Sequence, residues 1–196
     1  MEKALEKIEN ELAHSFNIVL DPAVSNQIKE IQKMLSGKFR ERRFYDNSPH
    51  VSILTKFMPQ SQTKIFDKLL EGEFKNDQIW KLEFSNFVIS DNGTYICLNF
   101  SKETTKKVFE LHKRAKRATK DVGALGMNGE AKPRYPFYPH LSIIKLKEDE
   151  AKKALKMIKK NLKGSKVQVQ KYEITAQEDD TTGFTNFQTI KRIVLK

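Results

Sequence analysis

The sequence contains a single cysteine, Cys97, which excludes a disulfide framework and any zinc site built from several cysteines. Its apolar runs are all shorter than the roughly 18 residues that a helix needs to cross a membrane. The first seven residues, Met-Glu-Lys-Ala-Leu-Glu-Lys, place acids where a secretory signal would be basic and then apolar. These absences predict a soluble protein of a reducing compartment, and we expect a cytoplasmic location.

Several signatures of cofactor and metal sites are also missing. The sequence has no His-Glu-x-x-His segment and no Walker-type loop, and a single cysteine cannot form a metal-binding pair. Gly123, Gly126 and Gly129 are spaced by three, which matches no dinucleotide-binding fingerprint and favours a mobile flap. We therefore expect neither a metal ion nor a cofactor.

Positive charge predominates, since 36 Lys and Arg residues stand against 25 Asp and Glu, for a net charge of +11. A field of this sign concentrates anions, of which nucleic acid is the usual one. Only seven of the 36 residues are arginines, and an excess of lysine also serves solubility or follows from genomic base composition. The charge alone therefore leaves nucleic-acid contact and solubility as equal alternatives.

The length of 196 residues and the 13 phenylalanines predict one domain that can bury a core without disulfides or metal. Apolar spacings of three and four predict helices, compact apolar runs predict strands, and Asn92-Gly93 between two such runs predicts a hairpin. The predicted helices cover about 1–14, 22–37, 65–72, 102–121 and 148–162; the predicted strands cover about 16–20, 50–57, 79–90, 94–100, 140–146, 166–176 and 184–195; and 122–139 is predicted as a loop.

An internal repeat is the most informative pattern. Residues 49–54 read Pro-His-Val-Ser-Ile-Leu, and residues 139–144 read Pro-His-Leu-Ser-Ile-Ile. A predicted helix, a strand and a turn glycine follow each motif, and 43 residues separate each motif histidine from that glycine. A shared order of elements around a shared motif indicates duplication. We predict a single bilobal domain over 1–196, with repeat halves at about 16–93 and 94–183 and a last strand at about 184–195.

The two motifs supply the groups for phosphodiester chemistry. Side chains alternate along a strand, so His50 and Ser52 share one face, as His140 and Ser142 do. At a common cleft, one imidazole can take a proton from the attacking oxygen while the other gives one to the leaving oxygen. The two hydroxyls can donate hydrogen bonds to the non-bridging phosphate oxygens, where charge sits in the transition state. This chemistry needs no metal ion.

The remaining two histidines, His14 and His112, fall in predicted helices and have no partner at a matching spacing. We interpret both as surface residues. The repeated placement of the other two histidines is what distinguishes them as candidate catalysts.

Paired His-x-Ser/Thr-hydrophobic motifs, one in each half of a duplicated chain, resemble the two-histidine phosphoesterase superfamily. That superfamily includes LigT-like "2′-5′ RNA ligases", RNA cyclic phosphodiesterases and enzymes that degrade 2′-5′-oligoadenylates. The resemblance implies an α+β fold that is bilobal and duplicated, with two antiparallel sheets flanking a central groove and helices outside. It implies that His50 and His140 are catalytic and that Ser52 and Ser142 bind the phosphate.

The same resemblance implies a metal-independent phosphodiesterase for RNA ends, cyclic nucleotides or short oligonucleotides, cleaving a 2′,3′-cyclic phosphate or a 2′-5′ linkage. Serine stands in both hydroxyl positions, where threonine is commoner in LigT-like members, and some members that trim RNA 3′ ends use His-x-Ser. A 3′-5′ end-trimming exonuclease is therefore an alternative, as is a non-catalytic RNA-binding module with the same fold. We expect no membrane partner, and a monomer is favoured although the sequence does not fix the oligomeric state.

Aromatic and basic side chains precede both motifs: Tyr45 lies before the first, and Arg134, Tyr135 and Tyr138 lie before the second. Such side chains can stack on a base and hold a neighbouring phosphate. We predict these four as substrate-binding residues. The alternative is that they pack the junction between the lobes.

Overall fold

A computed structural model gives the fold of residues 12–40, 49–90, 93–125, 137–158, 162, 165–177 and 187–196. Helices and strands are interspersed along these ranges. The helices within them are α1 (Pro22–Phe39), α2 (Thr63–Phe74), α3 (Lys102–Ala118) and α4 (Glu148–Ile158). The strands are β1 (Leu12–Val19), β2 (His50–Met58), β3 (Trp80–Ile89), β4 (Tyr95–Phe100), β5 (Ala124–Leu125), β6 (Leu141–Lys145), β7 (Lys166–Val169), β8 (Lys171–Gln177) and β9 (Phe187–Val194).

The strands form two antiparallel sheets, as predicted. The first sheet has the order β5-β2-β1-β8-β9, and the second has the order β6-β4-β3-β7. β3 follows the first motif in sequence but pairs with β4 in the second sheet, while β8 follows the second motif but pairs with β1 in the first. Each half of the chain therefore gives a strand to the sheet that contains the other half's motif.

The helices pack against both sheets. α2 and α3 contact β9 and β2 of the first sheet, and α1 and α4 contact β6, β3 and β4 of the second. α1 begins as predicted, because Asp21 accepts a hydrogen bond from the Val24 backbone N–H at 3.0 Å and Pro22 occupies the first turn. Its buried apolar side chains recur at spacings of three and four, and they are Val24, Ile28, Ile31 and Leu35.

The two faces of the first sheet differ in polarity. On one face, the Phe16 ring packs against Phe74 of α2, with ring centroids 4.8 Å apart. The next residue, Asn17, points to the opposite face, where its side-chain amide donates a hydrogen bond to Thr175 Oγ1 at 3.1 Å. Ser52 is the register partner of Asn17. The first motif therefore presents its hydroxyl on the polar face, away from the helices.

The helix predicted over 1–14 is wrong over its last three residues, which belong to a strand. β1 begins at Leu12, and the earlier part of the predicted helix, 1–11, lies outside the described residues. His14, predicted as a surface residue, is buried in β1, where Nδ1 donates to the Leu12 carbonyl at 2.9 Å and Nε2 shares a hydrogen bond with Thr63 Oγ1 at 2.8 Å. Leu12 fits a helical spacing, but its pairing with β2 determines its conformation.

The interpretation of His112 as a surface residue is also wrong. It lies on α3, as predicted, but its side chain is half-buried and Nδ1 donates a hydrogen bond to the Ile53 carbonyl at 2.7 Å. Burial lowers the pKa of His112, although that hydrogen bond opposes the shift. The ring is therefore part of the contact between α3 and β2.

Of two further predictions, the single strand over 166–176 is wrong and the hairpin at Asn92-Gly93 is confirmed. The strand predicted over 166–176 is two strands, because the chain crosses between the sheets at Gln170: β7 pairs with β3 in the second sheet and β8 with β1 in the first. The predicted hairpin is confirmed, since β3 and β4 pair antiparallel. Gly93 in their connection has a φ of +75°, a conformation that glycine adopts without strain.

Lys56 of β2 fixes the end of α3. Its side chain is only 1% exposed, and Nζ donates hydrogen bonds to the carbonyl oxygens of Thr119 and Val122. Both carbonyls lie just beyond Ala118, so the buried amine ties the turn that follows α3 to β2. Burial lowers the pKa of Lys56.

Gly123 follows this helix end, and its close approach to β2 gives a testable prediction. It has a φ of +60°, and a Cβ atom there would lie 2.7 Å from the Phe57 carbonyl oxygen and 2.9 Å from Met58 Cβ. We expect Gly123→Ala to lower the free energy of unfolding by about 1–3 kcal/mol, measured by denaturant titration. The control is Gly37→Ala in α1, where a Cβ meets nothing within 4 Å, and which should raise it by about 0.5–1 kcal/mol. Equal effects of the two substitutions would contradict this account.

Candidate active site

The two motif strands, β2 and β6, contact each other where the two sheets meet. β2 begins at His50, and β6 begins directly after His140. The fold therefore brings the two strands that carry the motifs into contact, although they are distant in sequence. Any joint action of the two histidines depends on this junction.

Side-chain alternation along both motifs is as predicted. His50 and Ser52 are exposed, and His140 and Ser142 are half-buried. The apolar residues that alternate with them are fully buried, and they are Val51, Ile53, Leu141 and Ile143. Each motif therefore presents an imidazole and a hydroxyl on one side while its apolar side chains anchor the strand in the core.

Both motif strands carry a bulge at the same place. In β2 the bulged residue is Ile53, directly after Ser52, and it has no register partner on β1. In β6 it is Ile143, directly after Ser142, and it has no register partner on β4. A bulge inserts one extra residue and changes the direction of neighbouring side chains. The coincidence supports the predicted repeat halves, which stay a prediction.

Hydrogen bonds orient the second imidazole. His140 Nδ1 lies 2.7 Å from the Tyr138 carbonyl oxygen, and because a carbonyl only accepts, Nδ1 carries a proton. Nε2 is then the nitrogen that accepts a proton in the neutral ring or gives one in the charged ring. The Tyr138 ring stacks beside the imidazole, with centroids 6.4 Å apart and planes at 22°. Asn99 Nδ2 donates to the Tyr138 hydroxyl at 2.9 Å and so holds that ring in place.

Cys97 supports the second hydroxyl. It is the register partner of Ser142, and the two side chains form a hydrogen bond. Burial raises the pKa of the Cys97 thiol to about 11, against the opposing effect of that hydrogen bond. Because this hydrogen bond acts to lower the pKa, the Ser142 hydroxyl is its donor and the Cys97 sulfur its acceptor, and the contact holds the hydroxyl beside β4.

The predicted flanking residues divide into two groups. Tyr45, Arg134 and Tyr135 lie outside the described residues, as do Gly126 and Gly129 of the predicted flap. Tyr138 lies beside His140 and is 56% exposed. Cys97 and Asn99 were missed by the sequence analysis. No sequence motif marks these two residues. Both lie on β4, and only the pairing of β4 with β6 places them at the second motif.

A cavity of about 540 Å³ opens next to Tyr138. It lies along the first half of α3, where Lys102, Lys106 and Phe109 share its lining with the Tyr138 ring. The remaining lining residues are Phe100, Thr105, Glu110 and Lys113, and Lys113 is already paired with Glu110 at 3.0 Å. We call this surface the α3 shelf. It combines aromatic rings with two lysines that form no ion pair among the described residues.

Within the described ranges, no group of three or more His, Cys, Asp or Glu side chains is arranged to hold a metal ion. No helix in the same ranges has the length and apolar character to span a membrane.

Comparison with known proteins identifies the family. The model of the 2′-5′ RNA ligase superfamily matches residues 20–181, a range that includes both His-x-Ser motifs. The chain belongs to the 2′-5′ RNA ligase superfamily. No curated protein sequence gives a significant match.

Several solved structures share the fold. E. coli LigT complexed with phosphate is 13% identical, with a TM-score of 0.64 over 96% of this chain and 99% of that chain. A crystal structure of a phosphoesterase is 16% identical, with a TM-score of 0.64 over 96% and 99%. TT0787 of Thermus thermophilus is 12% identical, with a TM-score of 0.68 over 93% and 97%. The LigT-like α+β fold and the resemblance to two-histidine phosphoesterases are therefore confirmed.

The raised pKa of the buried Cys97 thiol predicts that the free energy of unfolding of this chain depends on pH. The unfolded thiol ionises near its ordinary pKa of 9.0, whereas the folded thiol keeps its proton to about pH 11. Above pH 9 the folded state therefore binds more protons, and stability falls as pH rises. Cys97→Ala should remove roughly 2 kcal/mol of the loss between pH 9 and pH 11, measured by denaturant titration at each pH. Identical slopes in the two proteins would show that the thiol contributes nothing.

Proposed function

We propose that this chain is a phosphodiesterase that cleaves RNA-type phosphodiesters by general acid–base catalysis, with His50 and His140 as the proton-transfer groups. The observation that carries the proposal is the contact between β2 and β6, each with the same motif and the same bulge. Membership in the 2′-5′ RNA ligase superfamily and the fold shared with a phosphoesterase support the reaction class.

The proposed chemistry uses side chains only. For a 2′,3′-cyclic phosphate, one imidazole removes a proton from water as the water oxygen attacks phosphorus, and the other protonates the ribose oxygen as its bond to phosphorus breaks. One proton is taken and one is given, so the histidine pair ends in the opposite protonation state and is reset through solvent. Ser52 and Ser142 donate hydrogen bonds to the non-bridging oxygens as their charge grows.

The α3 shelf favours an oligonucleotide over a mononucleotide as the natural substrate. It continues from the Tyr138 ring at the catalytic imidazole to Phe109 and two lysines along α3. Aromatic faces stack on bases, and lysines hold phosphates without reading sequence. E. coli LigT, which has this fold, has been solved with phosphate and with the mononucleotide 3′-AMP, which supports a phosphate- and nucleotide-binding site but not the length of the substrate.

The first prediction of the proposed function concerns the reaction itself. The purified chain, assayed in EDTA, should hydrolyse 2′,3′-cyclic nucleotides or cleave 2′-5′ oligomers, with products identified by mass spectrometry. A panel that includes 3′-5′ oligomers distinguishes these reactions from end trimming. The proposal would be contradicted if no member of the panel were turned over, or if EDTA abolished all activity.

The second prediction concerns the catalytic groups. His50→Ala and His140→Ala should each lower the rate by roughly 10²- to 10⁴-fold, and the double variant should be little worse than either because the two groups act as a unit. Ser52→Ala and Ser142→Ala should each cost about 10- to 10³-fold, since each removes one phosphate donor. Thermal unfolding of each variant serves as the control. A site in which only one histidine matters would refute the two-histidine mechanism.

The third prediction concerns the α3 shelf. Replacing Lys102 and Lys106 together by Glu should raise KM for an RNA oligomer by about tenfold and flatten its salt dependence, while KM for a cyclic mononucleotide changes little. The control replaces Lys29 and Lys33 by Glu, because this pair has the same spacing on α1 and also forms no ion pair among the described residues. If both double variants bind the oligomer equally well, the shelf is not a binding surface.

A further inference from the structure

The carbonyl groups of the two bulged residues are bound by helix side chains. Gln32 of α1 donates from Nε2 to the Ile143 carbonyl at 3.0 Å. His112 of α3 donates from Nδ1 to the Ile53 carbonyl at 2.7 Å. We call these two contacts the bulge clamps. Sequence analysis gave neither donor a role.

The clamps cross between the predicted halves of the chain. Gln32 precedes the first motif but binds the strand of the second, and His112 precedes the second motif but binds the strand of the first. Their positions correspond, because 80 residues separate Gln32 from His112. Phe16 and Ile96 are also 80 residues apart, and each pairs with the first residue after a bulge. The two clamps are therefore one arrangement that occurs twice.

Physical chemistry explains why a donor is needed at each place. A bulged residue is left out of the strand ladder, so its carbonyl lacks the usual partner. Ile53 and Ile143 are both 0% exposed, and a buried carbonyl without a partner is costly. Gln32 is itself 4% exposed, so its side-chain amide is committed to the interior and to this contact.

We propose that Gln32 and His112 are positioning residues of the active site. Each fixes the peptide group directly after a motif serine, and the direction of that peptide sets where the hydroxyl points. Because each donor lies on the other half of the chain, the clamps also fix the two motifs relative to each other. The inference rests on the phosphodiesterase function proposed above and adds residues that touch neither the phosphate nor the reacting atoms.

His112 makes a second contact that links it to the other motif. Its ring stacks on Phe137, with centroids 4.0 Å apart and planes at 6°. Phe137 lies three residues before His140. Two effects therefore need to be separated at this position, the hydrogen bond to β2 and the stacking on the segment that enters β6.

Two substitutions separate them. His112→Asn keeps a donor, because Asn Nδ2 lies as many bonds from Cα as the imidazole Nδ1, but it loses the stacked ring. His112→Phe keeps a ring but loses the donor. At α1, Gln32→Met keeps the length of the side chain and loses the donor, and Ser36→Ala is the control because Ser36 is buried on the same helix and its Oγ has no partner among the described residues.

We expect His112→Phe and Gln32→Met to lower kcat for a 2′,3′-cyclic nucleotide by roughly 10- to 100-fold, with KM changed by less than about threefold. His112→Asn and Ser36→Ala should keep kcat within about threefold of the unsubstituted chain. All rates are taken below the temperature at which any variant begins to unfold. An active His112→Phe variant, or a His112→Asn variant as impaired as His112→Phe, would overturn the proposal.

A readout that does not need activity accompanies the kinetics. The carbonyl carbon shift of Ile53 and the amide nitrogen shift of Leu54 report the peptide group that His112 binds. Both should move in His112→Phe and stay near their original values in His112→Asn. If the unsubstituted chain turns over no substrate, the proposed function fails while these shifts still show whether the clamp exists. If the shifts move and kcat does not, the positioning role fails while the phosphodiesterase stands.

Discussion

The exchange of strands between the two predicted halves is the constraint on which the rest of the structure depends. β8 pairs with β1, so that Tyr172 lies opposite Ile18, and the first sheet cannot form until most of the chain is available. β3 joins the second sheet in the corresponding way. Neither half can bury its own apolar face alone, because each sheet lacks a strand until the other half supplies it. The junction of β2 with β6 is a product of the complete fold.

This constraint suits a site that divides one reaction between two motifs. In the proposed mechanism one imidazole acts at the attacking oxygen and the other at the leaving oxygen, so both need fixed positions, and a small displacement is costly in rate. The His and Ser side chains of the first motif contribute little packing, since His50 and Ser52 are exposed, while those of the second motif are half-buried. The precision comes from their buried neighbours and from the helices behind them. The proposed site therefore depends on a buried interior to which both predicted halves contribute.

Much of this architecture could be predicted from the sequence because its signals are local. The Asp21-Pro22 helix start, the Asn92-Gly93 hairpin and the alternation around His50 each depend on neighbours in the chain. What the sequence could not show depends on pairing between distant segments. His14 becomes buried because β1 lies between β2 and β8, and the break at Gln170 exists only because the two sheets need different strands. His112 was misread because its acceptor is a bulge carbonyl 59 residues away, and no spacing rule predicts where a bulge falls.

The rate at which a thiol reagent labels Cys97 measures local unfolding of the second sheet. Its side chain is 5% exposed and it is the only cysteine in the chain. A thiol reagent needs the thiolate, which is scarce at neutral pH when the pKa is about 11. Labelling therefore requires β4 to separate from its neighbours, and the labelling rate reports how often this local unfolding occurs. Because β4 carries the register partner of Ser142, we expect a ligand held at the proposed site to slow the labelling whether or not it is turned over. The single thiol thus reports occupancy for substrates, products and inert analogues alike.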